Sequence, residues 1–367
     1  MPSSQCLRAN VFFVTDSLID LPGPPPEFIA QTGMSTMAAT LIWHGIEPST
    51  RKSYASATKS WEYFCAEKGF STYPAQRPNL IEWVAQRTYG MGSPFMGKIA
   101  AKTLRVYMAA IRSIHVDRSL SVEVFTDPTL RRALDGTTSL NPQPHNVAHK
   151  QPISRETLKK IVTGGSTIPT IMGDSAFCLA FAGFFRIGEL TYTERQRAQP
   201  SFGSTNVTRS DVHFSPTGDH LTVRLKRSKA DREKKGVNVI IAATGDAACP
   251  VVALHRLFEM DPQPQNAPLF TAPDGAAFSP AFARRLLKSR LAQSGIPNIH
   301  LLTPHSFRRG AAQHALDSGF SDEEVQRLGR WSSEAFRLYC STSPSDCFRL
   351  SQRFQLGDPA PFSPVGS

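Results

Sequence analysis

Three segments of the chain gather side chains suited to holding one anion. In Thr303-Pro304-His305-Ser306-Phe307-Arg308-Arg309, Thr303 is placed to cap a helix and Pro304 to start it. His305 and Arg308 then share a face of the first turn, where free N–H groups and the helix dipole already attract negative charge. An imidazole beside a guanidinium there makes a phosphate clamp, the guanidinium gripping two oxygens at once. The alternative is local: His305 caps the turn and Arg308 is surface charge.

The second segment, Ala182-Gly183-Phe184-Phe185-Arg186-Ile187-Gly188-Glu189-Leu190, ends a strongly apolar helix on an arginine. A guanidinium among buried neighbours needs a partner, and Glu189 is near enough to orient it. An internal Arg186–Glu189 ion pair with no further role is the alternative. In the third, Gly329-Arg330-Trp331-Ser332-Ser333 precedes a helix that carries Tyr339. Gly329 can end one helix and Ser332 or Ser333 cap the next, and Tyr339 taken alone reads as a core tyrosine. Between two predicted strands, residues 224–235 hold Arg224, Lys226, Arg227, Lys229, Arg232, Lys234 and Lys235. By itself such a turn is a solvated loop.

The elements that must position these groups fall into two kinds. From about 35 to 136 the apolar period is helical, with a helix from Ser49 or Thr50 to Lys68, stopped by Gly69. Leu80, Ile81 and Val84 mark a second helix. Leu104, Tyr107, Met108, Ile111 and Ile114 mark a third, with Lys98, Lys102, Arg105 and Arg112 around its polar side. Asp127-Pro128 opens a last short helix that Gly136 ends. Residues 137–152 lack an apolar period, hold three prolines and read as a linker. After it the pattern mixes helices with three strands: Val207 to Phe214, one alternating through Leu221, Val223 and Leu225, and Val237 to Ala242. Helices follow near 250–260, 280–294, 304–317, 322–328 and 333–341, that at 322 opened by the capping box of Ser321 and Glu324. Residues 1–34 carry the run Leu-Pro-Gly-Pro-Pro-Pro and read as a flexible arm.

Composition narrows the function classes. A chain of 367 residues is long enough for two hydrophobic cores. With 41 Lys+Arg against 30 Asp+Glu, the formal charge of +11 favours an anionic partner, nucleic acid or an acidic membrane surface. The longest apolar stretch, Ala176 to Phe185, is about half a membrane span. The N-terminus lacks the basic start of a signal peptide. The six cysteines form no CxxC pair and no zinc spacing, so they read as reduced thiols of an intracellular protein without a bound metal. Neither a Gly-rich phosphate loop nor a dinucleotide fingerprint is present.

Taken in chain order, Arg186 with Glu189, a basic β-turn with Lys229, His305 with Arg308, then Gly329 and Tyr339 resemble the tyrosine recombinase (phage-integrase-like) family. That family's pattern is Arg-x-x-Glu, hairpin Lys, His-x-x-Arg, Gly-His/Trp and Tyr, with nine residues from the position after the glycine to Tyr. Arg330 to Tyr339 is nine. Gly-Phe-Phe-Arg-Ile-Gly-Glu-Leu and Gly-Arg-Trp-Ser-Ser look most like recombinases of eukaryotic, Crypton-like mobile elements. The resemblance covers roughly residues 35–350.

The resemblance implies an all-α core-binding domain (a SAM-like helical bundle, 35–136), a linker (137–152) and a mainly α catalytic domain with a small antiparallel sheet (153–352), ahead of a C-terminal tail (353–367). It implies a site-specific DNA recombinase or integrase, a strand transferase that cuts and rejoins DNA through a 3′-phosphotyrosyl intermediate and needs neither metal nor ATP and no other cofactor. Arg186 and Arg308 would clamp the scissile phosphate, His305 would hydrogen-bond it, Tyr339 would attack, and Lys229 would protonate the leaving oxygen, with Lys226 as the next candidate. Glu189 would support Arg186. Lys98, Lys102, Arg105, Lys226 and Arg227 would touch the DNA backbone. The family pattern has His or Trp where this chain has Arg330, so either Trp331 fills that role after a small shift or Arg330 meets the phosphate. The implied partners are double-stranded DNA and further copies of the chain, four on DNA, with no membrane. The implied location is the nucleus, or the cytoplasm of a prokaryotic source. Two rivals remain: a non-catalytic DNA-binding protein derived from a mobile element, and a type IB topoisomerase-like enzyme.

Overall fold

Prolines and left-handed glycines, more than side-chain caps, delimit the helices of the N-terminal half. The computed structural model describes residues 23–91, 97–140, 150–227 and 235–331. It divides into two units, Met1–Val147 and Ala148–Ser367. The described part of the first holds α1 (Pro26–Thr32), α2 (Thr36–His44), α3 (Pro48–Lys68), α4 (Arg77–Tyr89), α5 (Ala101–Asp117) and α6 (Pro128–Leu140). Proline sits in the first turn of α1, α3 and α4, where its missing N–H is no loss. Gly69 (φ +68°) and Gly90 (φ +73°) close α3 and α4 in the left-handed region. Asp127 Oδ1 caps α6, accepting from the N–H of Thr129 (2.8 Å) and Leu130 (3.1 Å). Trp61, Phe64, Leu80, Trp83, Leu104 and Ile111 form the core, with Trp61 and Trp83 edge to face at 5.4 Å.

Three boundaries differ from the sequence reading. Residues 26–32 are not part of a flexible arm, because the proline run starts α1 instead of breaking structure; Phe28 is buried and packs on Trp43 at 4.9 Å. Helix α3 begins at Pro48, ahead of Ser49 and Thr50. Helix α6 passes through Gly136 to Leu140, where Thr137 is buried and donates to Leu134 O at 2.7 Å. A mid-helix glycine costs only about 1 kcal/mol, which packing of the next turn offsets.

The second unit holds α7 (Arg155–Ile161), α8 (Ile168–Ala182), α9 (Ile187–Leu190), α10 (Glu194–Arg197), α11 (Phe202–Thr205), β1 (Val212–Phe214), β2 (His220–Leu225), β3 (Val237–Ala242), α12 (Pro250–Met260), α13 (Pro280–Gln293), α14 (His305–Asp317) and α15 (Asp322–Gly329). Among the described residues the fold is mainly helical with one three-stranded antiparallel sheet in the order β1-β2-β3. Leu221, Val223 and Leu225 alternate inward on β2, and Val239 and Ile241 face the same core from β3. Helix α8 is buried from Ile171 to Phe181. The strand expected from Val207 starts only at Val212, because Asp211 Oδ2 accepts from the Thr208 N–H at 2.8 Å and folds residues 208–211 into a turn. The helix expected at 333–341 lies outside the described residues.

Candidate functional site

The turn between α8 and α9 is built to present an arginine. Gly183 ends α8, and a Cβ there would lie 2.1 Å from the Phe185 ring, so only glycine lets Phe185 fold back. Phe184 adopts φ +51°, a conformation costing a non-glycine residue about 1–3 kcal/mol. This left-handed residue breaks the helix and brings Arg186 to the start of α9. There the Arg186 N–H donates to Glu189 Oε2 at 2.9 Å, and Nη1 donates to Oε1 at 2.8 Å. Glu189 is buried, whereas the Arg186 side chain is 27 % exposed.

Arg308 arrives from the second turn of α14 and meets the same α8–α9 turn. Its Nη1 donates to Phe184 O and its Nη2 to Gly329 O. The guanidinium also stacks on Trp331, 4.3 Å from a ring centroid, a contact worth about 2 kcal/mol when desolvated. Arg308 is fully buried. It is therefore not surface charge: its terminal nitrogens tie the α8–α9 turn to the end of α15.

His305 opens α14 and is half-buried. Burial first, then the charges of Arg309, Arg308 and Arg186, push its imidazole below the usual histidine range. The ring is neutral near pH 7 and can accept a proton. The helix start differs from expectation: no side chain caps α14 through Thr303, whose own N–H donates to Ser306 Oγ at 3.0 Å. Gly310 serves a packing need that the motif does not advertise. Its Cβ would fall 1.8 Å from Ile153 O, so glycine lets the 150–154 segment cross α14, where Ile153 N–H donates to Ser306 O at 3.0 Å.

Residues 329–331 close the cluster. A Cβ on Gly329 would meet the Trp331 ring at 1.6 Å, which explains the small residue ahead of the indole. Trp331 is buried against Phe184, edge to face at 6.1 Å. Arg330, at φ +55°, turns inward: Nη1 donates to Gly183 O at 2.8 Å and Nη2 to Phe184 O at 3.3 Å. Its Nη2 also lies 3.6 Å from Glu189 Oε2. Burial above all lowers its proton affinity, with Glu189 opposing; an arginine remains charged.

Arg186, His305, Arg308, Glu189, Arg330 and Trp331 are thus brought together from α8–α9, α14 and the end of α15. Lys229 and Tyr339 lie outside the described residues. Lys226 is not the free backbone contact expected of it. Its Nζ sits 2.7 Å from Asp211 Oδ2 and also donates to Gly203 O, because buried Asp211 needs a counter-charge. Arg227 is exposed beside it, as are Lys98 and Lys102 in the helical unit. Arg105 is exposed too but pairs with Asp135 at 2.9 Å. Among the described residues no group of His, Cys, Asp and Glu could hold a metal ion, and no helix is long and apolar enough to cross a membrane. Missed from the sequence were the carbonyls of Gly183, Phe184 and Gly329, since backbone acceptors leave no mark in residue types.

No family model matches the chain, and no curated protein matches it. Among solved structures it is similar to XerA recombinase, at 15% identity over 90% of this chain and 98% of that one, with a TM-score of 0.41. It is similar to the Tn1549 transposon integrase bound to circular-intermediate DNA, at 12% identity over 81% and 99% of the two chains, with a TM-score of 0.45. A third is XerH site-specific recombinase bound to its difH substrate, at 14% identity over 83% and 96%, with a TM-score of 0.41.

Proposed function

We propose that the chain is a tyrosine-type DNA strand transferase that cuts and rejoins duplex DNA through a 3′-phosphotyrosyl intermediate. The observation that carries this reading is the convergence of Arg186, His305 and Arg308 from two separate segments onto one turn, where burial first and the surrounding guanidiniums second favour the neutral imidazole. Extra negative charge develops on the phosphate's equatorial oxygens in such a transfer, and preorganised cations stabilise it. Arg186, the more exposed guanidinium, meets an oxygen directly, and Arg308 fixes the turn that carries it. Neutral His305 hydrogen-bonds the phosphate and accepts the Tyr339 proton as Tyr339 Oη attacks phosphorus. The 5′ oxygen leaves with a proton from Lys229, freeing a 5′-hydroxyl. Rejoining reverses these steps, and since the phosphotyrosine keeps the bond energy, ATP is not required. Action as a multimer on two DNA sites, a mobile-element origin and a nuclear location belong to the same proposal.

A second reading is favoured by one observation: the complete burial of Arg308 leaves a non-catalytic DNA-binding protein of mobile-element descent as the rival. Nicked suicide duplexes carrying a library of candidate sites separate the two. The strand transferase forms a covalent protein–DNA adduct that Tyr339→Phe abolishes while binding persists. Tight binding without any adduct across the library leaves the rival.

A further inference from the structure

Arg330 stands where the resembled motif has His or Trp, and its side chain turns into the protein. Nη1 donates to Gly183 O at 2.8 Å and to Leu328 O at 3.4 Å. Nη2 donates to Phe184 O at 3.3 Å and faces Glu189 Oε2 at 3.6 Å. The guanidinium lies 5.1 Å from the Phe185 ring centroid, and the side chain is 13 % exposed. Both terminal nitrogens are committed to protein oxygens. A group held in this way is poorly available to a DNA phosphate and well placed to fix its surroundings.

Those surroundings are the support of Arg186. Glu189 gives Oε1 to Arg186 Nη1, while Oε2 takes the Arg186 N–H and faces Arg330. A carboxylate alone with one guanidinium forms a bidentate, self-neutralising pair. Shared between two, it orients Arg186 yet leaves positive charge over for an incoming anion. Phe184 and Arg330, the two left-handed residues of this region, are the ones this contact joins.

We infer that Arg330 is a positioning residue: it locks the Gly183–Phe185 turn and shares Glu189, so that Arg186 meets an oxyanion preorganised and incompletely neutralised. The inference rests on the phosphodiester-binding reading above. It is tested on the full chain with Arg330→Lys and Arg330→Met, checking Tm first. Arg330→Lys keeps the charge, so it decides the matter if Arg330→Met melts the unit. One readout is binding of inorganic orthovanadate, whose trigonal-bipyramidal form resembles a phosphoryl-transfer transition state. The other is the rate of adduct formation on the nicked library.

Arg330→Lys is expected to bind orthovanadate about tenfold more weakly, as a misaligned Arg186 loses one charge-assisted contact to the anion. Adduct formation falls roughly 100-fold, as misplacement of a supporting group does, with DNA affinity unchanged. Combining it with Glu189→Gln adds no further loss in orthovanadate binding beyond the worse single variant, which a merely structural role would not give. Wild-type orthovanadate binding in Arg330→Lys, or additive losses in the pair, overturns the inference. An unchanged adduct rate in Arg330→Lys overturns it too, and leaves the strand-transferase reading standing. Arg330-dependent orthovanadate binding without any adduct in the wild type upholds the positioning role and sinks the transferase. Neither binding nor adduct in the wild type overturns both.

Discussion

Two sets of basic residues, one in each unit, differ sharply in burial. In the helical unit Lys98, Lys102 and Arg105 stand in solvent, and Asp135, the ion-pair partner of Arg105, is itself 61 % exposed. Such a pair contributes about 0–1 kcal/mol and leaves both charges accessible to a polyanion. In the second unit Arg308 is fully buried, Arg330 nearly so, and both are held by backbone carbonyls. Losing a partner from a buried charged set costs about 3–5 kcal/mol. Basic side chains therefore stand as exposed charge in the first set and as an internal frame in the second. Burial, rather than charge count, separates the two roles.

The contrast can be broken most severely at Gly310. Placing alanine there drives Cβ into the Ile153 carbonyl, which is backbone and cannot rotate away. Gly310→Ala is expected to cost about 3 kcal/mol, a drop in Tm of roughly 10 °C for a unit of this size, read by thermal melting. A smaller effect comes from His305, whose folded-state pKa is lowered. Its contribution to stability is complete above the unfolded value and is lost as pH falls through the folded one. Tm of the wild type should therefore fall further between pH 7.5 and lower pH than that of His305→Gln; parallel curves would refute the neutral, crowded imidazole.

The smallest effect on the fold, and the sharpest on binding, belongs to the exposed face of the helical unit. Replacing Lys98 and Lys102 by alanine should leave Tm nearly unchanged. Each should reduce the slope of log affinity for duplex DNA against log salt by about 0.9 if it touches a phosphate. Salt titration of nonspecific binding measures this. An unchanged slope places the DNA elsewhere.

Helices with strong local signals are legible in the residue pattern itself. Pro250–Met260, Pro280–Gln293 and Asp322–Gly329 follow from first-turn prolines or a capping box, and β2 from its alternating leucines and valine. Signals that depend on what a residue packs against mislead. The proline run before Phe28 looks like a break because its helix is short and docked by one ring. Gly136 looks like a stop because the burial of Thr137 is a tertiary fact. Lys226 looks like surface charge because nothing near it in sequence announces Asp211 as its partner across the sheet.

From its sequence alone, the protein is a mainly helical, basic chain whose Arg186, His305, Arg308 and Gly329-Arg330-Trp331 occur in an order that resembles the tyrosine recombinase pattern. Residue type and short-range spacing suffice for that, since periodicity, caps and motifs are local. Only the tertiary structure decided which guanidinium faces outward and which becomes frame. Arg186 keeps an exposed edge because a left-handed Phe184 ends α8 before it; Arg308 and Arg330 turn inward because that same turn offers the Gly183 and Phe184 carbonyls. Carbonyl direction is a property of backbone conformation, which long-range packing selects and a residue pattern does not record.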